Sequence, residues 1–237
     1  MLTARDFFDF EHFEHTGVFR DDEWVWCAVD RLSSYLTDWF AGHQGEIRGT
    51  IGKTATLHGN DIVIGEGTVV EDGAYIAGPA IIGRNCEIRQ GAYIRGDAIL
   101  ADGAVLGHAS ELKNSILLAD AKAPHFAYVG DSILGRDVNL GAGTKLSNLA
   151  VSSEKDASGK RPTIHLMING EPVDTGLAKL GAIIGDFSQT GCNSVTNPGT
   201  LIGRNTLVYP NTSLSKGYYG DNMIIKLRQQ VEAVHRQ

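Results

Sequence analysis

The 237-residue chain holds only 6 prolines and 3 cysteines, and nowhere does it approach 18 consecutive apolar residues. Without such a run no segment reads as a membrane-spanning helix. No basic segment leading into an apolar one stands at the N-terminus, so a soluble, cytoplasmic protein is expected. Cys27, Cys86 and Cys192 are odd in number and far apart. They make neither a disulfide frame nor a zinc-ligand spacing, and they point to a reducing compartment. Positive charge is also scarce. The 21 Lys and Arg against 28 Asp and Glu leave a net charge of −7, which argues against nucleic acid or an anionic membrane as partner. A small anion held by a local basic cluster is still compatible with that balance. Few prolines beside 29 glycines suit a chain of many tight corners and little disorder.

What is present is a six-residue beat. Ile64, Val70, Ile76, Ile82, Ile88, Ile94, Leu100, Leu106, Leu112 and Leu118 follow one another at intervals of six. Four residues after each of the first eight comes a small one: Thr68, Ala74, Ala80, Cys86, Ala92, Ala98, Ala104 and Ser110. A helix repeats every 3.6 residues and an ordinary strand every two, so neither makes this pattern. A β-helix of hexapeptide repeats does, with short strands stacked as a solenoid and apolar residues turned to its axis. Three six-residue faces make an 18-residue coil, and coils stack at the strand-pairing distance of roughly 4.8 Å. Cys86 falls at a small inward position, where a thiol packs well.

The beat defines three parts, 1–46, 47–218 and 219–237. Residues 1–46 lack it and are rich in aromatics, and Trp24, Ala28, Leu32, Tyr35, Leu36, Trp39 and Phe40 recur at helical spacing. Asp21 or Asp22 is the expected cap of that helix and Gly42 its end. The segment reads as a helical cap over the open first coil, with a partner-docking surface as the alternative. Asp221 followed by Met223, Ile224, Leu227, Val231 and Val234 predicts a C-terminal helix. Leu134 follows Leu118 at a spacing of 16, not a multiple of six, so 119–133 is expected to break the repeat. A second departure, 151–179, contains Asn169-Gly170 between alternating residues and predicts a hairpin excursion. Such a loop is expected at the surface, where it often covers a ligand. The repeat returns with Ile184, Thr190, Thr196, Ile202, Val208 and Leu214.

A packed solenoid leaves chemistry to its outer faces or to the gap between copies. His125, inside the expected break, is the leading candidate for a general base that activates an amine or hydroxyl. Arg95 and Lys113, 18 residues apart, are expected one above the other on one face, and with Arg89 they are candidate anion binders. A solvated outward face fits that spacing equally well. Glu111 is a candidate to orient His125 or hold a substrate hydroxyl. Asn139 and Asn148 flank Gly141-Ala142-Gly143, either as ligand contacts or as a stabilising amide ladder. No Walker or dinucleotide-binding glycine motif occurs, and the histidine spacing does not support a three-histidine zinc site.

Five blocks carry a family resemblance. They are Ile88-Arg89-Gln90-Gly91-Ala92, Glu111-Leu112-Lys113-Asn114-Ser115, Pro124-His125-Phe126-Ala127-Tyr128-Val129-Gly130-Asp131, Asp137-Val138-Asn139-Leu140-Gly141-Ala142-Gly143-Thr144 and Ser147-Asn148-Leu149. Together they resemble the acetyltransferase domain of bifunctional sugar-1-phosphate nucleotidyltransferase/acetyltransferases. Asp174-Thr175-Gly176 and Lys179 to Asp186 look like the archaeal form of these enzymes. The resemblance covers roughly 50–218 and implies a mainly β, single-stranded left-handed parallel β-helix that forms a homotrimer with active sites between subunits. It further implies an acetyl-CoA-dependent N-acetyltransferase acting on an amino-sugar 1-phosphate, with no metal. His125 would be the general base, with Asn148 and Glu111 as its catalytic companions. Arg89, Lys113, Tyr128 and Asn139 would contact the sugar phosphate, and the backbone near Ala142 and Cys192 would line the acetyl-CoA groove. The chain departs from the family at Leu149, where an aromatic or basic residue is usual, and at Cys192, where the bacterial form has serine. No Leu-x-x-Gly-x-Gly-Thr-Arg-like loop occurs, so nucleotidyl transfer is not expected of this chain, and residues 1–46 look like the remnant that joins such a domain to a solenoid. The alternative is a non-catalytic sugar-phosphate- or nucleotide-sugar-binding trimer that serves as a scaffold.

Overall fold

The computed structural model describes residues 1–228. Apart from the two strands of a hairpin, its strands fall into three parallel sheets of nine, nine and eight strands. Successive strands visit the three sheets in turn, which is the connectivity of a single-stranded β-helix. Face A begins with Glu46–Ile47 and Ile62–Ile64, face B with Thr50–Ile51 and Val69–Val70, and face C with Thr56–His58 and Tyr75–Ala77. The axis is filled by aliphatic residues such as Ile64, Ile82, Leu100, Leu106 and Leu112, each at most 1% exposed.

The solenoid does not break after Leu118. Its inward residues run Leu106, Leu112, Leu117, Ala123, Val129, Leu134, Leu140 and Leu146, all in the axial core. Residues 119–133, expected to be irregular, instead form regular strands at Lys122–His125, Tyr128–Gly130 and Ile133–Leu134. The beat slips because two coils lose one residue at the corner between faces C and A. Earlier coils turn there through Gly78-Pro79 and Gly96-Asp97, whereas these turn through Asn114 or Asp131 alone, at φ 45° and 48°. Asn and Asp tolerate that left-handed conformation better than most residues. Leu118 is therefore not an axial residue; it faces outward and is covered.

The cover is the N-terminal segment, and its position differs from the expected end cap. Helix α1 (Ala4–Phe7) and helix α2 (Cys27–Gly42) lie along the outside of face A. Phe7, Phe8, Trp26, Val29, Leu32 and Leu36 pack there with the outward residues Ile81, Ile99, Ile116, Ile133, Ile183 and Leu201. Face A strands are apolar on both sides, so this face would expose a long aliphatic stripe if left bare. Helix α2 ends at Gly42 and starts at Cys27 without a side-chain cap. Trp24 and Trp26, stacked at 4.7 Å, precede it in place of the expected capped first turn. Asp186, fully buried, fastens the strap by accepting the backbone N–H of Asp9 at 2.6 Å.

The excursion shares the same face. Its hairpin, His165–Ile168 with Glu171–Asp174, turns at Asn169-Gly170, both at positive φ. Ile164, Leu166 and Ile168 are buried in the face A cluster, so this hairpin braces the scaffold on that face. At the C-terminal end, Met223, Ile224 and Leu227 are not helical. Ile224–Ile225 pairs with Leu207–Val208 as one more face B strand, because ladder pairing onto an open sheet edge satisfies backbone groups that a short helix would leave free. Val231 and Val234 lie outside the described residues. Among the described residues no helix is long and apolar enough to cross a membrane.

Candidate functional site

The two uncovered faces carry the predicted site residues, and they meet at the corner that holds His125. One ladder of backbone hydrogen bonds climbs this corner: Phe126 donates to His108 at 2.9 Å, Gly143 to His125 at 2.9 Å, Asn193 to Ala142 at 2.8 Å and Asn211 to Cys192 at 2.9 Å. His108, His125, Ala142 and Cys192 therefore form a single column on successive coils. The predicted base and the two predicted cofactor-groove residues are brought into line. Sequence spacing alone hid this, since 50 residues separate Ala142 from Cys192 and most of them belong to the excursion.

Local geometry explains the corner. Strands Val105–His108 and Lys122–His125 are longer than their neighbours and pair so that His108 opposes His125. Gly107 permits the approach, because a Cβ there would sit 1.6 Å from the Pro124 carbonyl oxygen. The Nδ1 of His108 lies 2.8 Å from the Gln90 carbonyl oxygen, and its ring meets Phe126 edge-on at 5.3 Å. The His125 ring is exposed and, among the described residues, takes part in no hydrogen bond or ion pair.

Face C carries the second group. Tyr93, Glu111 and Tyr128 are in register on three adjacent coils. Arg95, one coil from Lys113 as the spacing predicted, reaches across to Glu111 at 2.8 Å. Lys113 points to Asp131 at 3.1 Å. Burial raises the Tyr128 phenol above its ordinary value, and the charges of Glu111 and Asp131 push it the same way. At neutral pH it is therefore a protonated hydroxyl, able to donate. Its oxygen lies over Gly130, where a Cβ would approach it to 2.6 Å.

Asn148 closes this group at the corner between faces C and A. It hydrogen-bonds through Nδ2 to Asp131. Asn139 does not join it. It stands on face B between Lys122 and Gln189, beside a shallow cavity of about 300 Å³. Arg89 is also on the face B side, paired with Glu87 at 2.7 Å. Within one chain, then, Glu111, Lys113, Tyr128 and Asn148 come together, His125 lies at the adjoining corner, and Arg89 and Asn139 lie on the face beyond it. A larger cavity, about 840 Å³, is elsewhere, under the N-terminal strap beside His15, Trp39 and Arg84.

Two residues of the group escaped the sequence reading. Asp131, with a side chain only 5% exposed, stood in a quoted block without a role, and so did Asn114, which donates to it at 2.8 Å. The available signal was the recurrence of Asn114, Asp131 and Asn148 at intervals of 17. It was masked because an 18-residue coil was assumed throughout.

Known proteins resemble this part of the chain. The family described as the GMPPB C-terminal domain matches residues 76–168. The bifunctional sugar-1-phosphate nucleotidylyltransferase/acetyltransferase of Sulfurisphaera tokodaii is 35% identical over 102 residues, covering 43% of this chain and 23% of that protein. The bifunctional protein GlmU of Methanococcus maripaludis strain S2 is 37% identical over 105 residues, covering 44% of this chain and 23% of that protein. The resemblance seen in the sequence blocks is thus present, and the match spans less than a quarter of each of these relatives. Among solved structures, the UDP-N-acetylglucosamine acyltransferase of Francisella novicida aligns with 72% of this chain and 58% of its own at 13% identity and a TM-score of 0.39. The Arabidopsis enzyme of the same name aligns with 75% and 70% at 12% identity and the same score. Likeness that slight carries no functional argument.

Proposed function

We propose that the chain is an acetyl-CoA-dependent N-acetyltransferase of an amino-sugar 1-phosphate, with His125 as general base. The observation that carries this reading is the corner column: His125, Ala142 and Cys192 lie in one line beside the polar group of Glu111, Lys113, Tyr128 and Asn148. An extended acyl donor laid along the column ends with its thioester next to His125. The sugar phosphate sits on face C, its anion near Lys113 and Arg95 and a hydroxyl near Glu111. The amine attacks the thioester carbonyl carbon, His125 takes the amine proton, and CoA leaves as the thiolate. Holding amine and thioester together supplies several kcal/mol of the barrier reduction, and proton removal by a placed imidazole adds about 100- to 10,000-fold.

The relatives named as sugar-1-phosphate nucleotidylyltransferase/acetyltransferases support the substrate class. Two observations support a trimer with the site between copies. Among the described residues face A is covered and faces B and C are not, and Arg89 and Asn139 stand on a different face from Glu111 and Tyr128. A second copy is what brings a face B set against a face C set. Exposed Val69, Leu207 and Ile224 on face B give that contact apolar area. A non-catalytic binder is the second reading, favoured by the pairing of Arg95 with Glu111 and of Lys113 with Asp131. Release of free CoA from acetyl-CoA with glucosamine-1-phosphate or galactosamine-1-phosphate, abolished by His125→Ala, tests the proposal. Thermal stabilisation by the sugar phosphates without CoA release from any acyl-CoA would replace it by the binder.

A further inference from the structure

We propose that Asp131 is a positioning residue that holds the Asn148 amide with its oxygen toward the site, where it accepts from the substrate ammonium. The inference rests on the amino-sugar reading above and concerns the same site.

Asp131 occupies a one-residue corner, stacked between Asn114 on one coil and Asn148 on the next. Its carboxylate is 5% exposed and receives three side chains. Oδ1 takes Asn114 Nδ2 at 2.8 Å and Lys113 Nζ at 3.1 Å, while Oδ2 takes Asn148 Nδ2 and lies 3.4 Å from the same Lys113. A carboxylate paired with an ammonium accepts hydrogen bonds and cannot donate them. Both asparagines must therefore aim their NH2 groups inward. For Asn148 this leaves the carbonyl oxygen directed away from Asp131, toward the face where the substrate would lie. An outward amide oxygen only accepts. An ammonium only donates, so the two match, whereas an outward NH2 would face the ammonium donor to donor.

The geometry also says what an isosteric change does. In Asp131→Asn the new amide oxygen stays on the side that serves Lys113 and Asn114, because that side faces a cation and a second donor. The new NH2 then points at Asn148, which turns over to offer its oxygen inward and its NH2 outward. A substrate ammonium loses its acceptor. A substrate hydroxyl, which both donates and accepts, adapts to either orientation.

The test compares glucosamine-1-phosphate with glucose-1-phosphate by calorimetric titration of the full-length protein and its Asp131→Asn variant. The expected result is at least about a tenfold loss of affinity for the amino sugar, the size of one charge-assisted hydrogen bond, with glucose-1-phosphate unchanged within about twofold. Equal weakening of both ligands would mean that Asp131 only supports the corner, and would overturn the proposal. A ligand-free arm uses protein labelled with 15N at asparagine. The Asn148 NH2 signals, assigned by their loss in Asn148→Ala, are expected to exchange with water at least about tenfold more slowly than those of Asn139, an amide at a solvent-facing cavity. That protection should disappear in Asp131→Asn. Unprotected Asn148 protons in the unchanged protein overturn the lock even if the variant fails to fold. If neither sugar phosphate binds while the protection is found, the substrate reading fails and the lock stands.

Discussion

His108 and His125 oppose each other in register on adjacent strands, yet only the first is held in place. The Nδ1 of His108 meets the Gln90 carbonyl at 2.8 Å, while the His125 ring has no partner among the described residues. A carbonyl accepts, so Nδ1 of His108 carries a proton. A tethered imidazole sits one coil away from a free one, and the free one stands next to Ala142 and the proposed thioester. The two make opposite predictions on removal. His125→Ala should lower kcat for CoA release at least about 100-fold. His108→Gln should leave kcat within about tenfold, because it alters a neighbour of the base and not the base. Steady-state kinetics of both variants over pH 6 to 9 check this, and the reverse ranking would move the base to His108.

Cys192 reports on the corner column, with the buried Cys86 as its internal reference. Burial pushes the Cys86 thiol up to about 11 and leaves it 1% exposed, with Sγ against the Ala101 carbonyl. It should resist alkylation at pH 8 until the chain unfolds, because the reactive species is the thiolate. Cys192 is exposed on the column. Maleimide should label it first, and saturating acetyl-CoA should slow that labelling at least about tenfold if the acyl donor lies along His125, Ala142 and Cys192. Mass spectrometry of peptides with and without acetyl-CoA reads both rates. Equal labelling of Cys192 in the two conditions would remove the cofactor from this corner.

The aliphatic beat made the solenoid legible, because an axial core imposes a strict period on the residues that fill it. It made the site legible only indirectly. Leu118 kept the six-residue count by chance, being apolar for another reason: it lies beneath the N-terminal strap. That accident disguised two one-residue deletions as a single interruption over 119–133 and gave His125 an irregular setting it does not have. Two signals in the chain would have corrected this. The paired aliphatics Ile81-Ile82, Ile99-Leu100, Ile116-Leu117 and Ile133-Leu134 recur on four adjacent coils of face A, and a strand apolar on both sides needs a cover. The spacing of 17 from Asn114 to Asp131 to Asn148 marks the shortened corner. Polar residues in a corner column follow coil length, which varies here, whereas the axial core tolerates a slip without a change of composition.

Gly107 is the residue on which the approach of the two histidine strands depends. A Cβ at this position meets the Pro124 carbonyl oxygen at 1.6 Å and its Cα at 2.4 Å. These are backbone atoms of the next coil, so no rotamer relieves the contact. Gly107→Ala should destabilise the chain by more than about 3 kcal/mol, above the ordinary range for overpacking, and should displace His125. Gly42→Ala is the control, since nothing lies within 4 Å of a Cβ there. Urea unfolding of both variants checks the difference. Equal midpoints would mean that the strands Val105–His108 and Lys122–His125 part more easily than their pairing suggests.

The N-terminal strap should loosen in mild acid through His15. This imidazole is half-buried among Phe13, Tyr35 and Trp39, with Nδ1 3.0 Å from the Tyr35 hydroxyl. Burial holds its pKa below the ordinary 6.5; Glu14 pulls the other way, and His43 adds to the lowering. The carboxylate of Glu14 is itself engaged by Arg84 at 3.2 Å. A depressed histidine favours the neutral form in the folded chain, so the stability it contributes is present above pH 6.5 and lost as pH falls below that value. Trp39, stacked on His43 at 4.0 Å and edge-on to His15, is placed to sense the change in its fluorescence. Between pH 7.5 and 5.5 the wild-type Tm should fall further than that of His15→Gln, which keeps a polar partner for Tyr35 and cannot titrate. The wild-type fluorescence should shift over the same interval. Parallel Tm curves for the two proteins would assign the acid response to another group, and the fully buried Asp186 would not serve, because its raised pKa, set first by burial, favours folding at low pH and loses that contribution as pH rises.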